Sequence, residues 1–303
     1  MSEPTAAAAD PALGPLRHRR DLQSLAYLLL QPALMLWQWR HGIALPAYLA
    51  MLFLAVGVSV IHHNHAHLPL WRKRALNRAT DLWITALQGH PTCVFHPAHN
   101  RNHHRHRHGP GDLARTWRFG DHNHLLGWAL HPLQAAAVLY PAILRWLAAL
   151  RRRAPGAFRW CLLQYALWLV SWLAALAIDP FKALALVILP QLFGLHWLLG
   201  ANYLQHAHAD DGARYGYARN FGGWVNPLLF NIGLHTAHHE HGRAHWSRLP
   251  ELHRRYRAAI DPRLLEPGLA GYVLRTLVLG PILPRHRSRS LRARGAAPAF
   301  KEN

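Results

Sequence analysis

Residues 42–67 read GIALPAYLAMLFLAVGVSVIHHNHAH, a long apolar run followed by closely spaced histidines. Its first part, residues 42–61, carries no charge and has about the 20 residues that a helix needs to cross the hydrocarbon core of a bilayer. The apolar run ends directly at four histidines, His62, His63, His65 and His67. The sequence therefore predicts a membrane-spanning helix that delivers a cluster of imidazoles to one side of the membrane.

Three more apolar runs complete a set of four predicted spans: residues 22–39, 160–178 and 183–200. Short turns separate them in pairs, because only two residues lie between the first two runs and an Asp-Pro turn divides the last two. We therefore expect an all-α integral membrane protein of two transmembrane helical hairpins, with a cytoplasmic helical cap that carries the histidines.

Residues 125–150 form a fifth apolar run, interrupted by His131, Pro132, Pro141 and Arg145. We expect this run to lie in or near the membrane interface. Two hairpins keep the N-terminus, the segment 62–157 and the tail on one side, which then holds nearly all Arg and Lys, as the positive-inside rule requires. A fifth crossing would separate the later histidines from the earlier ones.

The domain organisation follows from these runs. One membrane domain is predicted over residues 16–284, between ends at 1–15 and 285–303 that are rich in Ala, Pro and Arg and are predicted to be disordered. Residues 268–283 are a further candidate for an apolar helix that lies on the membrane surface.

The composition narrows the class of protein. The net charge of +20 would suggest nucleic-acid binding in a soluble protein, but 51% of the residues are apolar and only 16% are charged. Aromatic residues lie in the apolar runs and not between the basic ones, so we expect lipid headgroups as partners and no nucleic acid. The only two cysteines, Cys93 and Cys161, cannot form a thiolate zinc site or an iron–sulfur cluster.

Histidine is in large surplus, with 26 copies, and four clusters have a spacing that suits metal binding. Residues three or four apart share one face of a helix, so the members of each cluster can point at one ion, and neutral imidazole suits iron, copper, zinc and nickel. The clusters are His63 and His67; His99, His103 and His104; Asn202 and His206; and His235, His238 and His239. Residues 96–108, with Arg101, Arg105 and Arg107, would alone be typical of a solvated basic segment, a phosphate-binding patch or an adventitious zinc site. All four clusters fall on one predicted side of the membrane, which favours a shared metal centre.

In these motifs the sequence resembles the membrane fatty-acid desaturase family, whose histidine boxes are written HxxxH, HxxHH and HxxHH, with an additional NxxxH segment. The second box differs here, because its first gap is one residue longer. His96 and His106 therefore remain alternatives for that box, and His62 remains an alternative to His63. The matching set is His63, His67, His99, His103, His104, Asn202, His206, His235, His238 and His239, the complement of nine histidines and one asparagine that this family uses for two irons.

The resemblance implies a multi-pass enzyme of the cell membrane, with its histidine boxes on the cytoplasmic side. Such an enzyme uses two non-haem irons and dioxygen to introduce a double bond into an acyl-lipid, acyl-CoA or acyl-carrier substrate. A separate electron donor of ferredoxin or cytochrome type is implied, because no haem, flavin or iron–sulfur motif is visible in the chain.

Two other functions are compatible with the motifs. One is a hydroxylase or ketolase of lipids, carotenoids or alkanes with the same architecture. The other is a histidine-rich metal-binding or transport membrane protein without catalytic activity. A transporter places ionisable ligands inside its spans, whereas only His196 lies within a predicted span, so this pattern disfavours transport.

Overall fold

The computed structural model describes residues 11–292. Most of the two predicted disordered ends, residues 1–10 and 293–303, lies outside the described residues. The described part of the C-terminal tail makes specific contacts: the backbone N–H of Leu291 donates to the carbonyl of His208 at 3.0 Å, and Arg292 pairs with Asp211 at 3.0 Å.

Helices dominate the described residues, which confirms the all-α prediction. The larger ones are α1 (Leu22–His41), α2 (Leu45–His67), α3 (Arg74–Gln88), α4 (Leu125–Arg153), α5 (Pro155–Ile178), α6 (Pro180–His206), α7 (His235–Glu240) and α8 (Leu249–Tyr256). Segments His96–His103, Ala183–Ile188 (within α6) and Val273–Leu279 are π-helical. Short α-helical turns are His104–His106, Val225–Leu228 and Leu269–Tyr272.

The remaining regular structure is short. Among the described residues, six 3₁₀ turns occur at Arg19–Asp21, Thr92–Val94, Trp246–Arg248, Arg257–Ala259, Pro262–Leu264 and Pro284–His286. Strands Asn220–Phe221 and Leu265–Glu266 pair in parallel and are the only sheet within residues 11–292. We call residues 68–124 and 207–292, which lie outside the long apolar helices, the cap.

Within residues 11–292, four helices, α2, α4, α5 and α6, are long and apolar enough to cross a membrane. The protein is therefore a membrane protein, although the set differs from the predicted one, since α4 is included and α1 is not. Helix α1 carries glutamines inside its apolar run, and two of them, Gln31 and Gln38, are buried in the protein. Helix α4 instead exposes large apolar side chains such as Leu126 and Leu133. Its predicted position in the interface stays a prediction, because length and apolarity do not distinguish a crossing helix from one that lies on the membrane.

Helices α2 and α6 pack closely, and this contact positions the site. A Cβ atom on Gly194 of α6 would lie 2.9 Å from the carbonyl oxygen of Ala55 in α2, so only glycine permits this approach. The two helices end at His67 and His206, and both ends enter the cap. The core beside them joins Ile61 of α2 to residues from the cap, so the spans and the cap share one packed interior.

Candidate metal centre

The nine predicted histidines meet at the junction of the spans and the cap, where they form two groups. The first group is His63, His67, His99, His104 and His238, and the second group is His103, His206, His235 and His239. Within each group the candidate ligand nitrogens all lie within 4.8 Å of one another. The rings of His104 and His239 stack at 4.4 Å between centroids, so the two groups are direct neighbours.

Local helical geometry explains how each box contributes. His63 and His67 lie one turn apart at the end of α2, and both face the first group. The third histidine box lies on α7 and contributes to both groups. His238 belongs to the first group, and His235 and His239 belong to the second.

The second box owes its arrangement to a π-helix. The N–H of His104 donates to the carbonyl of His99, five residues earlier, which is the π-helical pattern. Residues four and five apart then lie on neighbouring parts of one face. The longer first gap of this box is thus compatible with all three histidines, since His99 and His104 enter the first group and His103 enters the second.

The nitrogen spacings test whether metal ions fit. The Nε2 atom of His104 lies 3.1 Å from Nε2 of both His99 and His238, and Nε2 of His235 lies 3.0 Å from His206 and 3.1 Å from His239. Two nitrogens bound about 2.1 Å from one ion are about 3.0 Å apart at a right angle and about 3.4 Å apart at the tetrahedral angle. The spacings fit the right angle, and five donors in the first group exceed the four of a closed tetrahedral zinc site.

Hydrogen bonding among the imidazoles cannot replace a metal. A neutral imidazole has one N–H, so Nε2 of His104 can donate to only one of its two close neighbours. The buried Nε2 atoms of His63 and His67 find no hydrogen-bond partner within residues 11–292. Buried polar atoms without partners are costly, and a metal ion at each group would satisfy them.

Several of these histidines are held through their second ring nitrogen. Nδ1 of His103 lies 2.6 Å from Oδ2 of Asp112, and Nδ1 of His206 lies 2.6 Å from the carbonyl oxygen of Tyr217. A bond at Nδ1 fixes that nitrogen as the protonated one and leaves the lone pair of Nε2 directed into the group.

Burial keeps four of the cap histidines neutral, so that their lone pairs can bind a cation. Burial, reinforced by the neighbouring histidines, lowers the pKa of His99, His235, His238 and His239 well below the ordinary value of 6.5. Burial would raise the pKa of Asp112, but the interactions of its carboxylate with His103 outweigh burial and hold that pKa below its ordinary value. Asp112 therefore supplies a negative charge beside the second group.

The remaining sequence candidates lie outside the two groups. The amide nitrogen of Asn202 donates to the carbonyl of Ala114 at 2.8 Å and lies 3.2 Å from Nε2 of His131. Of the alternatives, His62 contacts Gln88 through Nδ1 at 2.6 Å. His96 and His106 have exposed side chains and belong to neither group.

Three residues beside the second group were missed from the sequence: Asp112, His131 and Tyr217. Asp112 had a detectable signal, because it is the only acidic residue between Asp81 and Asp121, in a stretch full of basic residues. No comparable signal marks the other two, since Tyr217 is placed by the loop after α6 and His131 by the packing of α4 against α6.

A comparison with protein-family models finds a family whose match covers the residues of both histidine groups. A family model described as "Fatty acid desaturase" matches residues 37–266, a stretch that contains all four histidine clusters. No curated protein matches the chain in a sequence search.

Proposed function

The chain belongs to the fatty acid desaturase family, a family of membrane oxidoreductases, and from that premise we propose that it introduces a double bond into the acyl chain of a lipid substrate. The proposal is supported by the two adjacent histidine groups at the junction of the spans and the cap. The first group contains five imidazoles and the second contains four. We propose iron for both groups, with the carboxamide oxygen of Asn202, one turn before His206, as a tenth ligand.

The overall reaction sets what the protein must provide. Removing two hydrogens from adjacent methylenes and reducing dioxygen to two waters consumes two electrons and two protons from outside the substrate. Two bound irons would supply the activation of dioxygen that makes an unactivated C–H bond reactive. The protein contributes by holding the ligands, placing the acyl chain and excluding water.

The residues of this chain divide these tasks. Asp112 and the carbonyl of Tyr217 orient His103 and His206 before any metal binds. A small cavity of about 20 Å³ borders His67 and His238 of the first group, with Ile61, Leu70 and Trp246 among its lining. We propose that the reacting methylenes approach the first group from this side, along Ile61, Leu70 and Trp246, after the cavity widens around the chain.

Location and partners complete the proposal. We place the two groups on the cytoplasmic side, because the cap carries most of the basic residues. An acyl-lipid, acyl-CoA or acyl-carrier molecule is the proposed substrate, and a separate ferredoxin or cytochrome-type protein is the proposed electron donor.

Metal content and cellular lipids test the proposal together. We would purify the wild type, His238→Ala and His106→Ala in detergent, measure iron per chain, and analyse acyl chains of the expressing cells by gas chromatography. About two irons per chain and new unsaturated acyl chains are expected for the wild type and for His106→Ala, whereas His238→Ala should bind less iron and form no new unsaturated chains.

Other outcomes distinguish the alternatives. Two irons with hydroxylated or keto products would assign the same centre to an oxygenase. Absence of iron, with lipids unchanged by expression, would reject the enzyme and leave a histidine-rich metal-binding membrane protein.

A further inference from the structure

One face of the cap combines exposed arginines with packed tyrosines. We call it the arginine–tyrosine face and define it as Arg107, Arg214, Tyr215, Arg255 and Tyr256. The Arg214 guanidinium lies over the Tyr215 ring at 5.0 Å, and the rings of Tyr215 and Tyr256 are 4.9 Å apart. The three arginines are exposed.

The carboxylates at this face do not cancel its charge. Glu240 and Glu251 are only partly exposed, and they pair with Arg107 at 3.0 Å and with Arg255 at 2.6 Å. Arg214 has no carboxylate within ion-pair distance among the described residues. The exposed excess charge is therefore positive.

Tyr217 lies directly beneath this face and connects it to the second group. The Arg107 guanidinium lies 5.2 Å from the centre of the Tyr217 ring, and the Tyr217 hydroxyl donates to Glu240 at 2.6 Å. On its inner side, the Tyr217 ring lies 5.4 Å from the ring of His239, and its carbonyl accepts from His206. One buried aromatic residue thus separates a basic surface from two candidate ligands.

The two histidine groups differ in what surrounds them. The cavity that we assign to the acyl chain borders His67 and His238, which belong to the first group, and no member of the second group lines it. The second group is instead covered by Tyr217 and backed by Asp112. Substrate access and electron entry can therefore use different sides of the centre.

We propose that the arginine–tyrosine face is the docking surface for an acidic one-electron carrier protein, and that electrons enter the centre at the second group through the Tyr217 contact. The inference rests on the proposed function, which consumes two electrons per double bond. Complementary charge brings such partners together quickly and orients them, and the effect weakens with added salt. A carrier docked here is separated from His239 by the thickness of one side chain.

Binding and electron transfer can be measured separately from lipid chemistry. The probe is an acidic plant-type [2Fe–2S] ferredoxin, reduced under anaerobic conditions and titrated against iron-loaded protein in nanodiscs. Arg214→Glu reverses one charge on the face, and Arg152→Glu makes the same change at an exposed arginine at the end of α4. We expect Arg214→Glu to weaken ferredoxin binding by roughly tenfold at low salt, with the difference shrinking as salt screens it, and Arg152→Glu to bind like the wild type.

Tyr217→Leu tests the route below the surface. We expect unchanged ferredoxin affinity but slower electron transfer within the complex, while reduction of the irons by dithionite proceeds as in the wild type. Tyr217→Phe keeps the ring and should transfer electrons at the wild-type rate.

Three results would overturn the proposal. The first is wild-type protein that shows no saturable, salt-sensitive binding of ferredoxin, and the second is equal weakening by Arg214→Glu and Arg152→Glu. The third is an Arg214→Glu variant that loses affinity for an acyl carrier protein but not for ferredoxin, which would make this face a substrate-delivery surface. Failure of the proposed function can be distinguished from failure of this docking proposal, because it would appear as missing iron or unchanged lipids in the wild type.

Discussion

Oδ2 of Asp112 lies 2.6 Å from Nδ1 of His103, and both side chains are buried. The same carboxylate accepts the backbone N–H groups of His108 at 3.1 Å and Ala114 at 2.8 Å. Asp112 therefore has one fixed position and can hold the His103 ring in only one orientation. A carboxylate behind a liganding imidazole fixes its tautomer and increases its basicity.

Asp112→Asn should weaken metal binding without removing a ligand. The amide carries no charge and can present its NH₂ to His103, so we expect metal affinity to fall by roughly 10- to 100-fold. Chelator competition on the folded protein measures this. Asp121→Asn, an exposed carboxylate in the same part of the cap, is the matched control. Equal affinity in the two variants would contradict an orienting role for Asp112.

The two groups should respond differently to the loss of one ligand. His235→Ala leaves three histidines in the second group and removes the nitrogen that lies within 3.1 Å of two others. His99→Ala leaves four histidines in the first group. We therefore expect about one metal ion per chain in His235→Ala, and a smaller loss in His99→Ala, by elemental analysis.

The alternatives for the second box provide the controls for that experiment. His96→Ala and His106→Ala change exposed histidines outside both groups, so both should keep the wild-type metal content. If either variant loses as much metal as His235→Ala, the assignment of His99, His103 and His104 is wrong.

Helical spacing predicted that His63 lies beside His67 and His235 beside His239, and both pairs are neighbours in the structure. It could not predict how the second box is built, since a π-helix over His96–His103 has no recognisable composition and depends on the packing around it. Asp112 was missed for a related reason. It lies nine residues from His103, and only the fold of the intervening loop brings their side chains together.

The membrane helices were predicted incompletely. Apolarity alone favours α4 over α1 as a spanning helix, whereas the hairpin argument favoured the reverse. Periodicity and composition show how apolar a single helix is. The side of the membrane on which each helix end emerges depends on the whole chain, so these local patterns do not predict it.

Stability of the metal-free protein should fall below about pH 6.5. Burial and neighbouring histidines lower the pKa of His99, His104, His235, His238 and His239 in the folded protein, whereas the unfolded chain titrates near 6.5. Below that pH the unfolded chain binds more protons than the folded one, so the free energy of unfolding decreases by about 1.4 kcal/mol per pH unit for each such histidine.

Thermal unfolding in detergent between pH 5.5 and 8 checks this sign. The midpoint should be nearly constant above about pH 7 and should fall at lower pH. His99→Gln removes one of the responsible groups and should reduce the slope, and His106→Ala, a change at an exposed histidine outside both groups, is the control variant. A midpoint that rises on acidification would show that these histidines are not held neutral in the folded protein.

The closeness of His103 and His206 limits how many helices cross the membrane between them. Both belong to the second group, so the chain must cross an even number of times between the second box and the end of α6. Three helices in this interval, α4, α5 and α6, are apolar enough to cross, and therefore at least one of them does not. Helix α4 is the candidate that carries prolines and an arginine inside its apolar run and ends in Arg151, Arg152 and Arg153.

Labelling single cysteines with a membrane-impermeant maleimide, in sealed vesicles of known orientation, tests this assignment. In a background of Cys93→Ser and Cys161→Ser, Leu126→Cys and Arg152→Cys mark the two ends of α4, and Phe181→Cys marks the turn between α5 and α6. We expect the two ends of α4 to react from the cytoplasmic side and position 181 to react from the opposite side. Reaction of positions 126 and 152 from opposite sides would mean that α4 crosses, and then α5 or α6 must return without crossing to keep His206 beside His103.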